Sequence, residues 1–116
     1  MFISKYKRCK CVGGETTLSF HNEDIDSAGN LLQLVAVPSR LKLLLLLAKG
    51  PHCVCDLTKH TKLSQTLVSH HLSDLSKAGI VSSAKDGQFM IYRLTAKGSE
   101  TINKLKSIIN LQKKHA

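Results

Sequence analysis

The chain has 116 residues, one domain's worth of length. Seventeen Lys and Arg against eight Asp and Glu leave a formal charge of +9 at pH 7, and 42% of the residues are hydrophobic. That apolar share excludes general disorder, while so short a chain keeps much of its surface wet, which favours a dimer. Five aromatic residues and no Trp disfavour a single-strand binder built on stacking platforms. The longest apolar run, residues 43–48, is far shorter than the roughly 20 residues of a membrane span. The basic N-terminus has no apolar stretch behind it, so it is not a secretory signal and a soluble cytoplasmic protein is expected. Cytoplasmic cysteines are normally reduced, so the four Cys favour metal binding or redox chemistry over a structural disulfide. The charge suits an anionic partner, nucleic acid or a membrane surface.

Residues 1–12 carry Lys5, Lys7, Arg8 and Lys10 with no acid. They read as a flexible basic arm ending in Cys9-Lys10-Cys11 and Gly13-Gly14. The arm is placed at residues 1–22 and a single DNA-binding and dimerisation domain at residues 23–116. Ile25, Ala28, Leu32 and Val35 recur at helical spacing, behind acids Glu23, Asp24 and Asp26 that suit a helix N-terminus. Pro38 opens a second helix and Gly50-Pro51 closes it. Leu41 and residues 43–47 are apolar nearly all round, so this helix belongs at the centre of the core. A short helix is expected over 53–60, a tight connection over 61–64, and a longer helix over 65–78 with Gly79 as its C′ residue. Two helices joined by so short a turn make a helix-turn-helix candidate. Residues 80–84 and 89–94 are strand-like around Asp86-Gly87, a strong hairpin signal. Thr95 caps a final helix to about residue 113, with Ile102, Leu105 and Ile109 on one face. The expected fold is mainly α with a β-hairpin wing: a winged helix-turn-helix, dimeric, with flanking N- and C-terminal helices.

On the 65–78 helix, Thr66, Ser69, His70, Ser73 and Lys77 share one face, and Val68, Leu72 and Leu75 lie opposite. The polar face is donor-rich and free of carboxylates. Short polar side chains let a helix approach the DNA major groove and bond base edges and phosphates. Ser64 and Gln65 support a phosphate contact at the helix N-terminus. An ordinary solvated face has a similar composition; the helix-turn-helix context, the hairpin and the charge favour DNA. His71 leans toward the apolar side and is expected to be packed and hydrogen-bonded, which leaves His70 as the DNA candidate. Lys85 and Gln88 at the hairpin tip are positioned for the adjacent backbone or minor groove, although a Lys at a turn is usually only solvated.

Both Cys pairs are C-x-C, not the C-x-x-C of thioredoxin-like or zinc-ribbon sites. Residues two apart on a regular helix point away from each other, so Cys53 and Cys55 converge only in a frayed or first-turn position after Pro51. A helix N-terminus favours the thiolate that metal binding needs. With Cys9 and Cys11 the set reaches four sulfurs, which selects Cd(II), Pb(II), Zn(II), As(III) or Cu(I) over Mg or Ca. A redox or persulfide switch uses the same thiols, and a disulfide would then run from the 53–55 pair to Cys9 or Cys11. The blandest alternative is a Cys acting as a small hydrophobe. A thiol enzyme fits poorly, because His60 is the nearest base and no orienting third residue or oxyanion loop accompanies it. Neither a catalytic residue nor an organic cofactor is expected.

Cys53-Val54-Cys55-Asp56-Leu57 followed by Ser69-His70-His71-Leu72 resembles the ArsR/SmtB family of metal-responsive transcriptional repressors, over about residues 25–110. Val37-Pro38-Ser39-Arg40-Leu41 is similar to the start of that family's second helix. Ser64-Gln65 with residues 68–72 is similar to its recognition helix, and Lys85-Asp86-Gly87 with Ile91-Tyr92-Arg93-Leu94 to its wing. The resemblance implies a homodimer packed through its first and last helices. It implies operator DNA, double-stranded, as a partner that is released when a metal or metalloid binds, and no membrane partner. It also implies Cys53 and Cys55 as thiolate ligands. Thr58 stands where the arsenic-sensing branch often has a third Cys. A basic arm with extra Cys is similar to the cadmium/lead-sensing (CadC-like) branch, which implies that Cys9 and Cys11 complete the site, there across subunits. Between Thr95 and Ala116 only Glu100 and His115 match the residue types of the zinc-sensing branch, so a second zinc site at the dimer interface is not expected. His52 and His60 flank the Cys pair as surface residues or auxiliary ligands.

Overall fold

Each helix begins and ends where local chemistry allows it. The computed structural model describes residues 18–115, so Cys9 and Cys11 of the expected arm lie outside the described residues. Helix α1 (Asn22–Val35) carries Glu23 and Asp24 in its first turn, against the positive end of its dipole. Pro38 is the first residue of α2 (Pro38–Leu47), where its missing N–H leaves no bond unmade. A short strand β1 (His52–Cys53) leads into α3 (Val54–Thr61) and α4 (Gln65–Lys77). Lys62, left-handed at φ 60°, ends α3 and turns the chain into α4. Ser64 caps α4, its Oγ accepting the Leu67 N–H at 3.1 Å. Past the C-cap Ala78, Gly79 is left-handed at φ 75°. The Gly79 N–H then donates to Ser76 O at 3.0 Å and the Ile80 N–H to Leu75 O at 2.9 Å, a Schellman closure of the expected kind. Strands β2 (Val81–Asp86) and β3 (Phe89–Leu94) and helix α5 (Ala96–His115) complete the chain.

The expected hairpin is part of a three-stranded antiparallel sheet in the order β1-β3-β2. β1 pairs His52 with Tyr92 and Cys53 with Ile91. Two residues show no periodicity, so this strand left no signal in the sequence. The helix expected over 53–60 therefore starts at Val54, with extended Cys53 as its N-cap. β2 also runs on to Asp86, paired with Phe89. The loop is thus two residues, with Gly87 supplying the positive φ of 63° at its first position.

The core is built around α2, as its all-round apolar character predicts. Leu43, Leu44 and Leu47 pack with Leu57 of α3, Val68, Leu72 and Leu75 of α4, and Val35, Ile80, Val81 and Ile102, all buried. On α1 only Val35 enters this core. Ile25, Ala28 and Leu32 are exposed, as are Ile108 and Leu111 on α5.

The last helix is fastened directly to the end of α4. The Thr95 N–H donates to Ile80 O at 3.0 Å, its hydroxyl bonds the carbonyls of Gly79 and Ile80, and its Oγ1 accepts the Gly98 N–H at 3.0 Å. Gly98 lies so close to the Ile80 carbonyl that a Cβ there would collide with it. Gly98→Ala should therefore destabilise the fold by about 1–3 kcal/mol, the usual range for overpacking. Thermal unfolding followed by circular dichroism reads this as a drop of several degrees; an unchanged midpoint would show that α5 slides off Ile80 at little cost.

Candidate nucleic-acid interface and thiol pair

The outer face of α4 is a polar concave surface. Gln65, Thr66, Ser69, His70 and Ser73 line a shallow open depression of about 500 Å³. No carboxylate lines it. On the opposite side Val68, Leu72 and Leu75 are 0% exposed. One face is thus pinned in the core and the other stands free. Ser64 sits at the N-terminal edge, its Oγ committed to the cap. The structure does not add Lys77 to this group. Lys77 lines a separate depression with Asn30, Asp74 and Lys97, near α1 and α5. Lys85 and Gln88 are exposed on the wing, Lys85 in β2 opposite Met90 and Gln88 in the hairpin loop.

Beneath the face lies a polar cluster whose partners the sequence did not reveal. His71 is 7% exposed, packed and hydrogen-bonded as expected. Arg40 Nε donates to His71 Nδ1 at 3.1 Å, so Nδ1 carries no proton. The proton of the neutral ring is then on Nε2, which donates to Ser39 Oγ at 2.7 Å. The same guanidinium donates to the Leu34 carbonyl at 3.0 Å and to Asp74 Oδ2 at 2.7 Å. Burial and the neighbouring Arg40 hold the His71 pKa below its ordinary value; Asp74 works against this and His70 adds to it. Ser39 and Arg40 appeared in the sequence only as part of a motif, because their partners lie more than 30 residues away.

The thiol pair straddles a strand-to-helix junction. Cys53 is half-buried, extended at φ −85° and ψ 165°, and held in β1. Cys55 is exposed, the second residue of α3. The pair thus sits at the helix start after Pro51, with Cys53 as the N-cap and Cys55 in the first turn, so the divergence of residues two apart on a regular helix does not apply. Thr58 spends its hydroxyl on the Val54 carbonyl at 2.8 Å. His52 places Nδ1 2.7 Å from the Gly50 carbonyl and stands edge-on to His60, with 6.0 Å between ring centroids. Among the described residues no group of three or more His, Cys, Asp or Glu converges. Two thiols suit a thiophilic ion in donor type and supply part of a three- or four-coordinate shell.

A helix-turn-helix followed by a hairpin, with a free polar face on its second helix, defines a winged helix-turn-helix DNA-binding protein. The sequence profile described as bacterial regulatory protein, arsR family, matches residues 37–83. The arsenical resistance operon repressor of Staphylococcus xylosus is 38% identical over 80 residues, covering 69% of this chain and 77% of that one. The HTH-type transcriptional repressor SmtB of Mycobacterium tuberculosis is 39% identical over 72 residues, covering 62% of this chain and 53% of that relative, about half its length. The solved structure of HlyU from Vibrio cholerae superimposes with a TM-score of 0.69 at 28% identity, covering 76% of this chain and 97% of that one. The chain belongs to the ArsR family and is a transcriptional repressor, not an enzyme.

The His71 environment makes a prediction about stability. A pKa below the ordinary 6.5 means that the unfolded chain binds the proton more tightly than the folded one. Stability from this group is complete above pH 6.5 and falls as the pH drops below it. Urea unfolding midpoints should decline between pH 7 and 5, and His71→Gln should decline less steeply. Identical slopes for the two proteins would show that other groups carry the effect.

Proposed function

We propose that the protein is a homodimeric operator-binding repressor that leaves DNA when a thiophilic ion binds its cysteines. The observation that carries this reading is the carboxylate-free depression of Gln65, Thr66, Ser69, His70 and Ser73 on a helix whose other side is locked in the core. In this reading Thr66, Ser69, His70 and Ser73 face the major groove. Ser64 and Gln65 bring the N-terminus of α4 to a phosphate, while Lys77, Lys85 and Gln88 reach the flanking backbone.

The dimer is supported by apolar surface that the protomer leaves uncovered. Phe20, Ile25, Ala28 and Leu32 line one groove, and Leu32 with Leu105 and Ile108 lines a second between α1 and α5. A second copy packed on α1 and α5 buries both. It sets two recognition helices about one DNA turn apart, roughly 34–36 Å.

Cys53 and Cys55 hold the effector, with Cys9 and Cys11 supplying the remaining sulfurs. Cd(II), Pb(II), Zn(II) and As(III) are the candidates, because thiolates prefer soft or borderline ions. Ligation by both pairs would tie the arm to α3 and favour a conformer whose recognition helices no longer match the groove spacing. Operator DNA must then weaken ion binding by the same factor.

Anaerobic titration of each ion into the reduced protein, bound to DNA from upstream of its own gene, tests the reading. Release near stoichiometric ion is expected. Cys53→Ser and Cys55→Ser should still bind DNA and fail to release it. Loss of binding on oxidation with a mass change of two protons, and no response to any ion, would instead support a redox switch. Leu32→Glu or Ile108→Glu should give monomers in sedimentation and weaken DNA binding; dimers that persist would place the interface elsewhere.

A further inference from the structure

We propose that Arg40 and His71 are positioning residues for DNA binding: their contact sets how α4 presents its polar face, and protonation of His71 releases it. This rests on the reading that α4 meets DNA. The geometry is a single guanidinium, projecting from the first turn of α2, that reaches three places. Arg40 bonds the Leu34 carbonyl near the end of α1, the His71 ring in the middle of α4, and the Asp74 carboxylate one turn further along α4. Ser39 adds a second bond from α2 to the same ring. His70 and Ser73 of the outer face immediately precede these two anchors in sequence, so any rotation of α4 that breaks the clamp re-aims them.

Apolar packing alone leaves such a rotation soft, because dispersion and hydrophobic contacts have little directionality. A planar guanidinium has fixed donor directions, so it defines an orientation. The clamp also includes α1, whose apolar stripe is the proposed dimer surface. It therefore connects the recognition helix to the dimer frame without passing through the thiols.

The clamp needs neutral His71. A proton on Nδ1 would set two N–H donors against each other and add a second positive charge beside Arg40, so the contact opens. The charged or titratable groups facing the ring are Arg40 from α2, and Asp74 and His70 from α4; α1 contributes the Leu34 carbonyl through Arg40. Asp74 attracts the protonated ring, while burial, Arg40 and His70 oppose it, in agreement with the lowered pKa.

Three measurements on the full chain test the proposal. Long-range 1H–15N spectra should show His71 unprotonated at Nδ1 and protonated at Nε2 at pH 7.5; the opposite tautomer overturns the clamp. Hydrogen-exchange protection in α4 should fall between pH 7.5 and 5.5 while that of Leu43 and Leu44 in α2 holds, and His71→Gln should abolish this difference. Equal behaviour of the wild type and His71→Gln also overturns it.

DNA binding supplies the functional arm, with a duplex from upstream of the protein's own gene and fluorescence anisotropy. Wild-type affinity should drop about fivefold or more relative to His71→Gln over the same pH range, the lower end of ordinary coupling energies. Matching pH profiles would refute the positioning role. Arg40→Gln should weaken binding at pH 7.5 with an unchanged dependence on salt. A phosphate contact would instead lower the slope of log K against log salt by about 0.9, which would make Arg40 a DNA ligand and not a positioning residue. If Arg40→Gln does not fold, Arg40→Lys keeps the charge and loses the fork, and the same slope decides. No binding of the duplex by the wild type would sink the operator reading, whereas the tautomer and exchange measurements would still decide the clamp.

Discussion

The one-sided burial of α4 is the constraint on which the rest of the molecule depends. Val68, Leu72 and Leu75 are sealed against the core formed by α2 and its neighbours. Each such side chain contributes roughly 1.5–3 kcal/mol relative to exposure. With that side fixed, Ser69, His70 and Ser73, which lie between them in sequence, face outward. The reading face is thus the remainder after burial, and its polarity is tolerated because it carries no part of the core.

Burial fixes which side of α4 faces out, but not the angle at which it does so. Directional bonds supply the angle at two points. Arg40 and Ser39 hold the middle of the helix through His71 and Asp74. Thr95 and Gly98 hold the closure that follows it, through Gly79 and Ile80. The two sets attach α4 to opposite ends of the chain, one to α1 and α2, the other to α5. An apolar core with polar fasteners at its edge combines strong, undirected attraction with weaker, aimed contacts.

Much of this was legible in the sequence, and for identifiable reasons. The helices showed because apolar residues recur at 3.6 and because Pro38, Ser64, Gly79 and Thr95 carry the start and stop chemistry. The hairpin showed because Asp86-Gly87 sits between apolar runs. The position of His71 followed from the helical wheel alone. What the sequence hid was long-range or too short to repeat. β1 has two residues and exists only because β3 offers it an edge. Lys77, in the last turn of α4, lines a depression together with Asn30 and Lys97, a grouping that a wheel does not show. Arg40 appeared only within a motif, because a wheel shows the face of a residue and not the partner across the core. The α1 stripe had the right period, yet only Val35 of it enters the core while Ile25, Ala28 and Leu32 stay exposed, a distinction that periodicity cannot make.

The small strand β1 joins regions that the sequence keeps apart. Cys53 and Ile91 are 38 positions apart along the chain yet are backbone neighbours across one antiparallel step, a spacing of about 4.8 Å. β3 continues from that step to Phe89 at the tip of the wing. The half-buried thiol is therefore mounted on the same sheet as the wing. Cys53 is at once the N-cap of α3 and a backbone partner of the wing's inner strand, so its sulfur sits where helix and wing meet.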